Sequence, residues 1–177
     1  MVADRPIGLK KFTQLLPEHD RGAIITALKI LQGEYNDEKR GFELKEVAGG
    51  FRLQTRRNLR SWVLRLKRSI PVRLSRAALE TLAVVAYKQP STRAEVESIR
   101  GVDASGTLRF LLDRKIIRIV GRKDLPGRPL LYGTTRQFLE VFELKDLSDL
   151  PSLAEMVELE HQTSGLPQIP LFSKVQD

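Results

Sequence analysis

The side chains that most often carry catalysis or bind metal are scarce in this sequence. It contains two histidines, His19 and His161, and no cysteine. Neither histidine has a second potential ligand at metal-site spacing, so both are interpreted as ordinary surface residues. The Gly-x-x-x-x-Gly-Lys-Ser/Thr pattern of a phosphate-binding loop is also missing. We therefore expect no catalytic residue, no metal site and no cofactor.

Carboxylates are plentiful, but the clearest of them has a structural role. Thr92 and Glu95 have the spacing of a capping box, in which the hydroxyl and the carboxylate each accept a hydrogen bond from a main-chain N–H at the start of a helix. Thr134 and Gln137 have the same spacing and predict a second box. No pair of buried acids can be picked out for acid–base chemistry.

The charge changes sign along the chain. Residues 1–70 carry 15 basic and 8 acidic side chains, residues 71–142 carry 13 and 7, and residues 143–177 carry 2 and 7. This pattern indicates an anionic partner or a tail that docks on a basic body, although such a charge can also serve solubility alone. No apolar run approaches the roughly 20 residues of a membrane span. Together with the absence of cysteine, this leads us to expect a cytoplasmic protein.

The first half predicts two helices, a hairpin and a basic helix. Apolar residues from Leu9 to Leu16 have helical spacing, Pro17 stops that helix, and Asp20 is expected to cap the next one. The second helix has one apolar stripe, made of Ile24, Leu28, Leu31 and Tyr35. Alternating runs at 42–47 and 51–55, joined by a turn of Ala48, Gly49 and Gly50, then predict the hairpin.

The second half repeats this plan more clearly. Ser75 is expected to cap a helix that ends before Pro90, the capping box at Thr92 opens a helix that ends at Gly101, and a third helix follows Asp103. Its apolar positions are Leu79, Leu82, Ala83 and Ala86 in the first helix, Val96 and Ile99 in the second, and Leu108, Leu111 and Leu112 in the third. A strand at 116–120, a loop at 122–129, a return strand at 130–132 and a final helix complete the unit.

Three helices followed by a two-stranded hairpin form the winged-helix plan. The predicted fold is therefore mainly α with small β-hairpins (α+β), arranged as tandem winged-helix domains. The expected domains are residues 1–70, with the first helix largely missing because none precedes Leu9, and residues 71–142. Residues 143–177 are expected to form an acidic, proline-containing tail with one amphipathic stretch at 153–159.

The third helix of the second domain, which is the recognition helix of a winged-helix fold, has side chains poorly suited to sequence-specific DNA binding. Its outward positions are expected to be Thr107, Arg109, Phe110, Asp113 and Arg114. Base readout favours Arg, Lys, Asn and Gln, whereas an outward aromatic beside an arginine is typical of a protein-binding hot spot. The alternative is that Phe110 folds into the wing, which is the hairpin formed by the strands at 116–120 and 130–132 and the loop between them.

The longest stretch without an acidic side chain, between Val47 and Leu79, contains nine basic residues. They are Arg52, Arg56, Arg57, Arg60, Arg65, Lys67, Arg68, Arg73 and Arg76. Such a segment suits sequence-independent contact with phosphates, or is simply a solvated face.

Several motifs of the second half occur together in one known family. They are the stretch 73–90 (RLSRAALETLAVVAYKQP), Thr92–Glu95, Ile99–Val102, Gly121–Lys123, Pro126–Pro129, Leu131–Thr135 and Asp149–Pro151. This combination resembles the segregation and condensation protein B (ScpB) family, and the first half is similar chiefly at Glu46–Leu53. Gly8 departs from the helix-capping Ser that is usual in the family.

The resemblance implies a non-enzymatic subunit of a condensin-like complex that takes part in chromosome condensation and partition during cell division. It implies a homodimer formed through the first domain, binding to the kleisin subunit (segregation and condensation protein A), and through it to the ATPase heads of SMC proteins. The expected location is cytoplasmic and nucleoid-associated. The alternative function is a winged-helix DNA-binding transcription regulator.

These expectations assign three sets of candidate residues. The kleisin-binding set is Tyr87, Arg109, Phe110, Arg128, Leu131 and Tyr132. The dimerisation set is Leu9, Phe12, Leu16, Ile24 and Leu28. The set for non-specific phosphate contact is Arg56, Arg57, Arg60, Lys67 and Arg68.

Overall fold

The chain divides into two folded units. A computed structural model describes residues 3–37, 39–66, 72–152, 155 and 170–171. Unit 1 comprises Met1–Ile70 and Glu143–Gln162, and unit 2 comprises Pro71–Phe142 and Thr163–Asp177.

The described part of unit 1 has three α-helices and one small sheet. Its elements are β1 (Ile7–Gly8), α1 (Leu9–Leu15), α2 (Arg21–Tyr35), β2 (Phe42–Val47), β3 (Gly50–Thr55), a 3-10 turn (Arg57–Leu59), α3 (Arg60–Leu66) and a second 3-10 turn (Leu147–Asp149). The predicted cap of α2 is confirmed, because the Asp20 carboxylate accepts a hydrogen bond from the Ala23 N–H at 2.6 Å. Ile24 and Leu28 face the core of the unit, whereas Leu31 is exposed.

Unit 2 has the same kind of architecture with one helix more at its start. Its elements are β4 (Val72–Arg73), α4 (Arg76–Lys88), β5 (Ser91–Thr92), α5 (Arg93–Arg100), α6 (Ser105–Asp113), β6 (Ile117–Arg122), β7 (Leu130–Thr134), α7 (Arg136–Phe142) and β8 (Pro170–Leu171). The Ser75 cap and the capping box of Thr92 and Glu95 are both present, and Gly101 ends α5 with a φ of 68°.

The two units share one sheet topology. Strand order is β1-β3-β2 in unit 1 and β5-β7-β6 in unit 2, and every pairing is antiparallel. In both, a two-residue strand before the helix pair adds to the second strand of the hairpin, which is the winged-helix arrangement. The α+β fold class is confirmed. Strands β1 and β5 were not predicted, because two residues are too few to show an alternating pattern.

The hairpin of unit 1 turns one residue earlier than predicted. Ala48 and Gly49 both have positive φ angles, 51° and 67°, so they form the turn, and β3 already begins at Gly50. A Cβ on Gly50 would lie 2.8 Å from the Ile7 carbonyl carbon. Gly50 is therefore required by the close approach of β1 rather than by the turn.

The second capping box was predicted at the wrong residues. Thr135, not Thr134, caps α7: its hydroxyl accepts a hydrogen bond from the Phe138 N–H at 3.2 Å. Thr134 still belongs to β7, and its N–H and hydroxyl both donate to the side-chain oxygen of Gln89. Gln137 donates to the Arg114 carbonyl instead of closing a box. The pairing of β7 with β6 holds Thr134 in extended backbone, which moves the cap one residue on.

The core of unit 2 differs from the predicted stripes at a few positions. Leu82, Leu108 and Leu111 are buried as expected, and Thr81 and Val85 of α4 join them. Ile99, predicted to be inside, is 55% exposed. The neighbouring Arg100 instead lies against α4, where it donates to the Ala77 carbonyl at 3.0 Å, to the Thr81 hydroxyl and to the Glu80 carboxylate at 2.9 Å.

Residues 143–150, assigned to the tail from their charge, make contacts within unit 1. The carbonyl oxygens of Leu144 and Lys145 accept hydrogen bonds from the N–H groups of Ala48 and Gly49 at 2.8 and 2.9 Å. These bonds satisfy main-chain donors of the hairpin turn. Further along the chain, Pro170–Leu171 pairs antiparallel with Val72–Arg73. The amphipathic stretch expected at 153–159 lies outside the described residues except for Glu155.

Candidate protein-interaction surfaces

Helix α6 presents a mixed aromatic and basic face. Leu108 and Leu111 are buried in the core, which turns Arg109 to solvent and leaves Phe110 half-buried. The Arg114 guanidinium lies 5.2 Å from the centre of the Phe110 ring, within range of a cation–π contact. Phe110 is therefore neither fully exposed nor fully buried, and one arginine, Arg114, lies against its ring.

Two contacts fix the ends of α6. At its start, the Ala104 N–H donates to the Glu97 carboxylate of α5 at 3.2 Å. At its end, Lys115 has a φ of 56° and the Ile116 N–H donates back to the Leu111 carbonyl at 3.1 Å. The helix is thus held firmly between α5 and β6, so the direction of Arg109 is set by packing.

The exposed side chains of α6 are unsuited to reading bases. Arg109 and Asp113 are exposed, Thr107 is half-buried, and residues 105–113 include no Asn, Gln or Lys. The carboxylate of Asp113 would repel phosphates beside it. The arrangement favours contact with protein over sequence-specific contact with DNA.

The wing of unit 2 holds the other predicted kleisin-binding residues in different environments. Arg128 is exposed and Leu131 half-buried, so both are accessible. Tyr132 is only 8% exposed, because it lies in β7, the central strand, and contributes to the core. Its side chain is not available to a partner, so it leaves the candidate set. The remaining residue of the kleisin-binding set, Tyr87, lies outside the wing near the end of α4 and is exposed.

Three exposed apolar residues of this wing were not among the predicted site residues. They are Ile119, Val120 and Leu125, with exposed fractions of 48%, 43% and 50%. The sequence signal for them was a run of β-branched residues, which predicts a strand without saying which of its faces the core covers.

The charged pair that joins the wing to α5 is also set by the fold. Lys123 Nζ lies 2.5 Å from Glu95 Oε1, while Glu95 Oε2 accepts the Thr92 N–H at 2.7 Å. The hydrogen bond from Lys123, followed by those from Thr92, lowers the pKa of Glu95 to about 2. The carboxylate therefore stays ionised at any physiological pH.

The candidate dimerisation residues separate into buried and accessible ones. Ile24 and Leu28 are in the core of unit 1, so their side chains cannot meet a partner, and Leu9 and Phe12 are half-buried. Leu16 is exposed. The same two helices also expose Leu15, Ile30 and Leu31, of which Leu15 and Ile30 are each 58% exposed. Accessible apolar side chains are therefore present on α1 and α2; they include Leu16 of the candidate set, and also Leu15, Ile30 and Leu31, which that set did not contain.

Of the candidate phosphate contacts, Arg56 has a structural role. Its guanidinium donates to the carbonyl oxygens of Tyr35, Asp37 and Arg40 at 2.9, 2.8 and 3.0 Å, and the side chain is only 15% exposed. It ties the end of α2 to the start of the hairpin and leaves the candidate set. The next residue, Arg57, is 75% exposed. Arg60 is exposed as well, and Lys67 and Arg68 lie outside the described residues.

Arg57 borders an open cavity of about 690 Å³ in unit 1, whose lining includes Lys45 and the side chains of Gln32 and Asn36. Glu143 Oε2 accepts from Lys45 Nζ at 2.8 Å and from Arg57 at 3.0 Å. Burial would raise the pKa of Glu143, but the hydrogen bond and charge of Lys45, with those of Arg57, outweigh it and lower the pKa. Both cations are thus engaged with a carboxylate of the same unit.

In the described ranges, no three His, Cys, Asp or Glu side chains come together as a metal site would require. No helix among the described residues is both long enough and apolar enough to cross a membrane.

This chain is similar to several known proteins. A family model described as "Segregation and condensation complex subunit ScpB" matches residues 1–153. A relative from Syntrophotalea carbinolica, "Segregation and condensation protein B", is 49% identical over 165 residues, which are 93% of this chain and 83% of that protein. A relative of the same name from Myxococcus xanthus is 47% identical over 89% of this chain and 48% of its own length. The crystal structure of ScpB from Mycobacterium tuberculosis is 33% identical, covers 79% of this chain and 87% of its own, and has a TM-score of 0.37.

Proposed function

Because this chain belongs to the ScpB family of segregation and condensation complex subunits, we propose that it acts as a non-enzymatic adaptor that binds the kleisin subunit, segregation and condensation protein A, through unit 2. Through the kleisin it would reach the ATPase heads of SMC proteins and take part in chromosome condensation and partition. The family itself supplies only the coarser role of a subunit in a segregation and condensation complex.

One observation carries the choice of unit 2. The outward face of α6 combines the exposed Arg109 with a half-buried Phe110 that lies under the Arg114 guanidinium. A protein partner that covers this face would remove water from the exposed part of the Phe110 ring and could pair with the arginines of the same helix. The same face has little to offer to a base edge, which is why a transcription regulator is the weaker candidate.

Binding of the kleisin to the full chain, measured by calorimetry, tests the proposal. Arg109→Glu should weaken binding at least tenfold, which corresponds to roughly 1.4 kcal/mol. Arg76→Glu is a matched control, because it reverses the charge of an exposed arginine at the start of α4 that belongs to none of the candidate sets. Equal affinities for the parent and the Arg109 variant would remove α6 from the interface, and no binding by the parent chain would overturn the proposed function.

Self-association is a second part of the proposal. The exposed apolar side chains Leu15, Leu16, Ile30 and Leu31 of α1 and α2 support a two-fold contact between copies of unit 1, since isologous pairing is the commonest arrangement. Non-specific contact with DNA phosphates is the third part of the proposal. The candidate residues for it are now Arg57 and Arg60, together with Lys67 and Arg68, which lie outside the described residues.

A further inference from the structure

One edge of the unit 2 sheet is formed by β6. With strand order β5-β7-β6, β6 pairs with β7 on one side, and no other described strand pairs with it on the opposite side. The second edge strand, β5, has only two residues, both buried. Strand β6 has six residues, so it is the edge with enough length to hydrogen-bond to an added strand.

This edge carries exposed apolar side chains beside its charged ones. Ile119 and Val120 of β6 are both exposed, and so is Leu125 in the loop after it. Exposed apolar groups on an open edge favour association with another chain. Their concentration on one hairpin indicates a surface that a partner covers.

The position of Val120 is set by an irregularity of the strand. Ile119 pairs with Tyr132 and Gly121 with Leu131, so Val120 is an extra residue without a cross-strand partner. A Cβ added to Gly133 of β7 would lie 3.0 Å from a Val120 methyl carbon. The bare Gly133 therefore leaves room for Val120 to lie against the sheet, which holds its exposed surface in a defined place beside Ile119.

The charge of the same hairpin selects the kind of partner. Between residues 117 and 134 there are four basic side chains, Arg118, Arg122, Lys123 and Arg128, and a single acidic one, Asp124. Lys123 is paired with Glu95, whereas Arg118 and Arg122 are exposed on β6 itself, and Arg122 also donates to the Arg128 carbonyl at 3.2 Å. An added strand that alternates acidic and apolar side chains would complement this edge.

We propose that β6 binds an extended segment of the kleisin, of alternating acidic and apolar residues, as a fourth strand of the unit 2 sheet. This inference rests on the proposed function and adds the binding mode and the chemistry of the segment. The acidic side chains lie against Arg118 and Arg122, and the apolar ones cover Ile119 and Val120. Duplex DNA could contact the two arginines through its phosphates, but it would make no favourable contact with Ile119 and Val120.

Amide hydrogen exchange of the full chain, with and without the kleisin, tests strand addition directly. Main-chain N–H groups of β6 that point away from β7 should become protected in the complex, whereas docking by side chains alone would leave them exchanging as before. Lack of new protection in β6 within a complex that does form would overturn the inference and leave the proposed function standing. If no complex forms, both are wrong.

Two variants give a second readout. Ile119→Asp should weaken kleisin binding about tenfold, since it removes an apolar group from the interface and faces acidic side chains. Ile99→Asp is the matched control, because Ile99 is similarly exposed in the same unit but lies in α5. Arg118→Glu should weaken binding in a salt-dependent way and remains informative if the first variant is poorly folded. The inference would be overturned if duplex DNA alone protected β6, and if Arg118→Glu abolished DNA binding while Ile119→Asp did not. The edge would then be a nucleic-acid contact.

Discussion

Lys123 Nζ lies 2.5 Å from the carboxylate of Glu95, and the same carboxylate caps α5 through the Thr92 N–H. One side chain thus connects the start of α5 to the base of the wing. A motif that the sequence identifies as a local helix cap also positions the hairpin on which the proposed partner binds.

The first prediction concerns pH. The pKa of Glu95 is lowered from 4.5 to about 2 by Lys123 and Thr92. A carboxyl group whose pKa is lower in the folded state stabilises fully above its unfolded pKa and loses that contribution as pH falls towards the folded value. Unit 2 should therefore lose stability between pH 4.5 and about 2, and Glu95→Gln should remove part of that loss.

Urea unfolding followed by circular dichroism at several acidic pH values measures the effect. A double-mutant cycle of Glu95→Gln and Lys123→Gln separates the Glu95–Lys123 interaction from the contribution of Glu95 to the cap of α5. A coupling free energy of zero would contradict the proposed link between α5 and the wing.

The second prediction concerns the cap of α7. Thr135→Ala should lower the free energy of unfolding by about 1 kcal/mol, the usual cost of removing an N-cap threonine. Thr26→Ala is the control, because the Thr26 hydroxyl bonds to the Gly22 carbonyl inside α2 and alanine suits a helix better. If Thr26→Ala lowered the free energy of unfolding more than Thr135→Ala did, the predicted role of the Thr135 cap would be contradicted.

The third prediction distinguishes two adjacent arginines. Arg56→Ala should destabilise unit 1 by roughly 2 kcal/mol, since it removes a charged donor to three carbonyl groups. Arg57→Ala should cost less than about 1 kcal/mol, because its pair with Glu143 is largely exposed on the arginine side. Thermal unfolding of the full chain gives the order, and a reversed order would contradict the structural role of Arg56.

The fourth prediction concerns self-association. Leu15→Glu and Ile30→Glu place charges on the exposed apolar surface of α1 and α2 and should shift the mass measured by light scattering from dimer to monomer. Leu66→Glu, at a highly exposed position of α3, should leave the mass unchanged. A parent chain that is monomeric throughout would refute dimerisation, and a monomer produced only by the control would move the contact to α3.

The fifth prediction concerns DNA. Arg57→Glu with Arg60→Glu should weaken binding to duplexes of any sequence, and the slope of log affinity against log salt should become shallower by roughly 1.8, about 0.9 for each phosphate that is no longer neutralised. Fluorescence anisotropy at several salt concentrations measures both quantities. Unchanged binding would show that the basic segment is a solvated face.

The sequence by itself determined the helices, the hairpins and their caps, because these depend on neighbours a few residues away. Asp20, Ser75 and Thr92 cap helices as their positions predicted. The motifs from Arg73 to Pro151 were also enough to identify the family. Local errors arose where a distant element intervenes: pairing of β7 moves the α7 cap to Thr135, and the approach of β1 requires Gly50.

Only the tertiary structure decided which residues of a given type are available for binding. Tyr132, Ile24 and Leu28 are apolar like Ile119 and Ile30, but the first three are covered by packing within their own units and the other two are not. Arg56 and Arg57 are neighbours with the same charge, yet only Arg56 meets three carbonyl groups brought together by the end of α2. Burial and partnership depend on contacts between residues far apart in sequence, and these arise only when the chain folds.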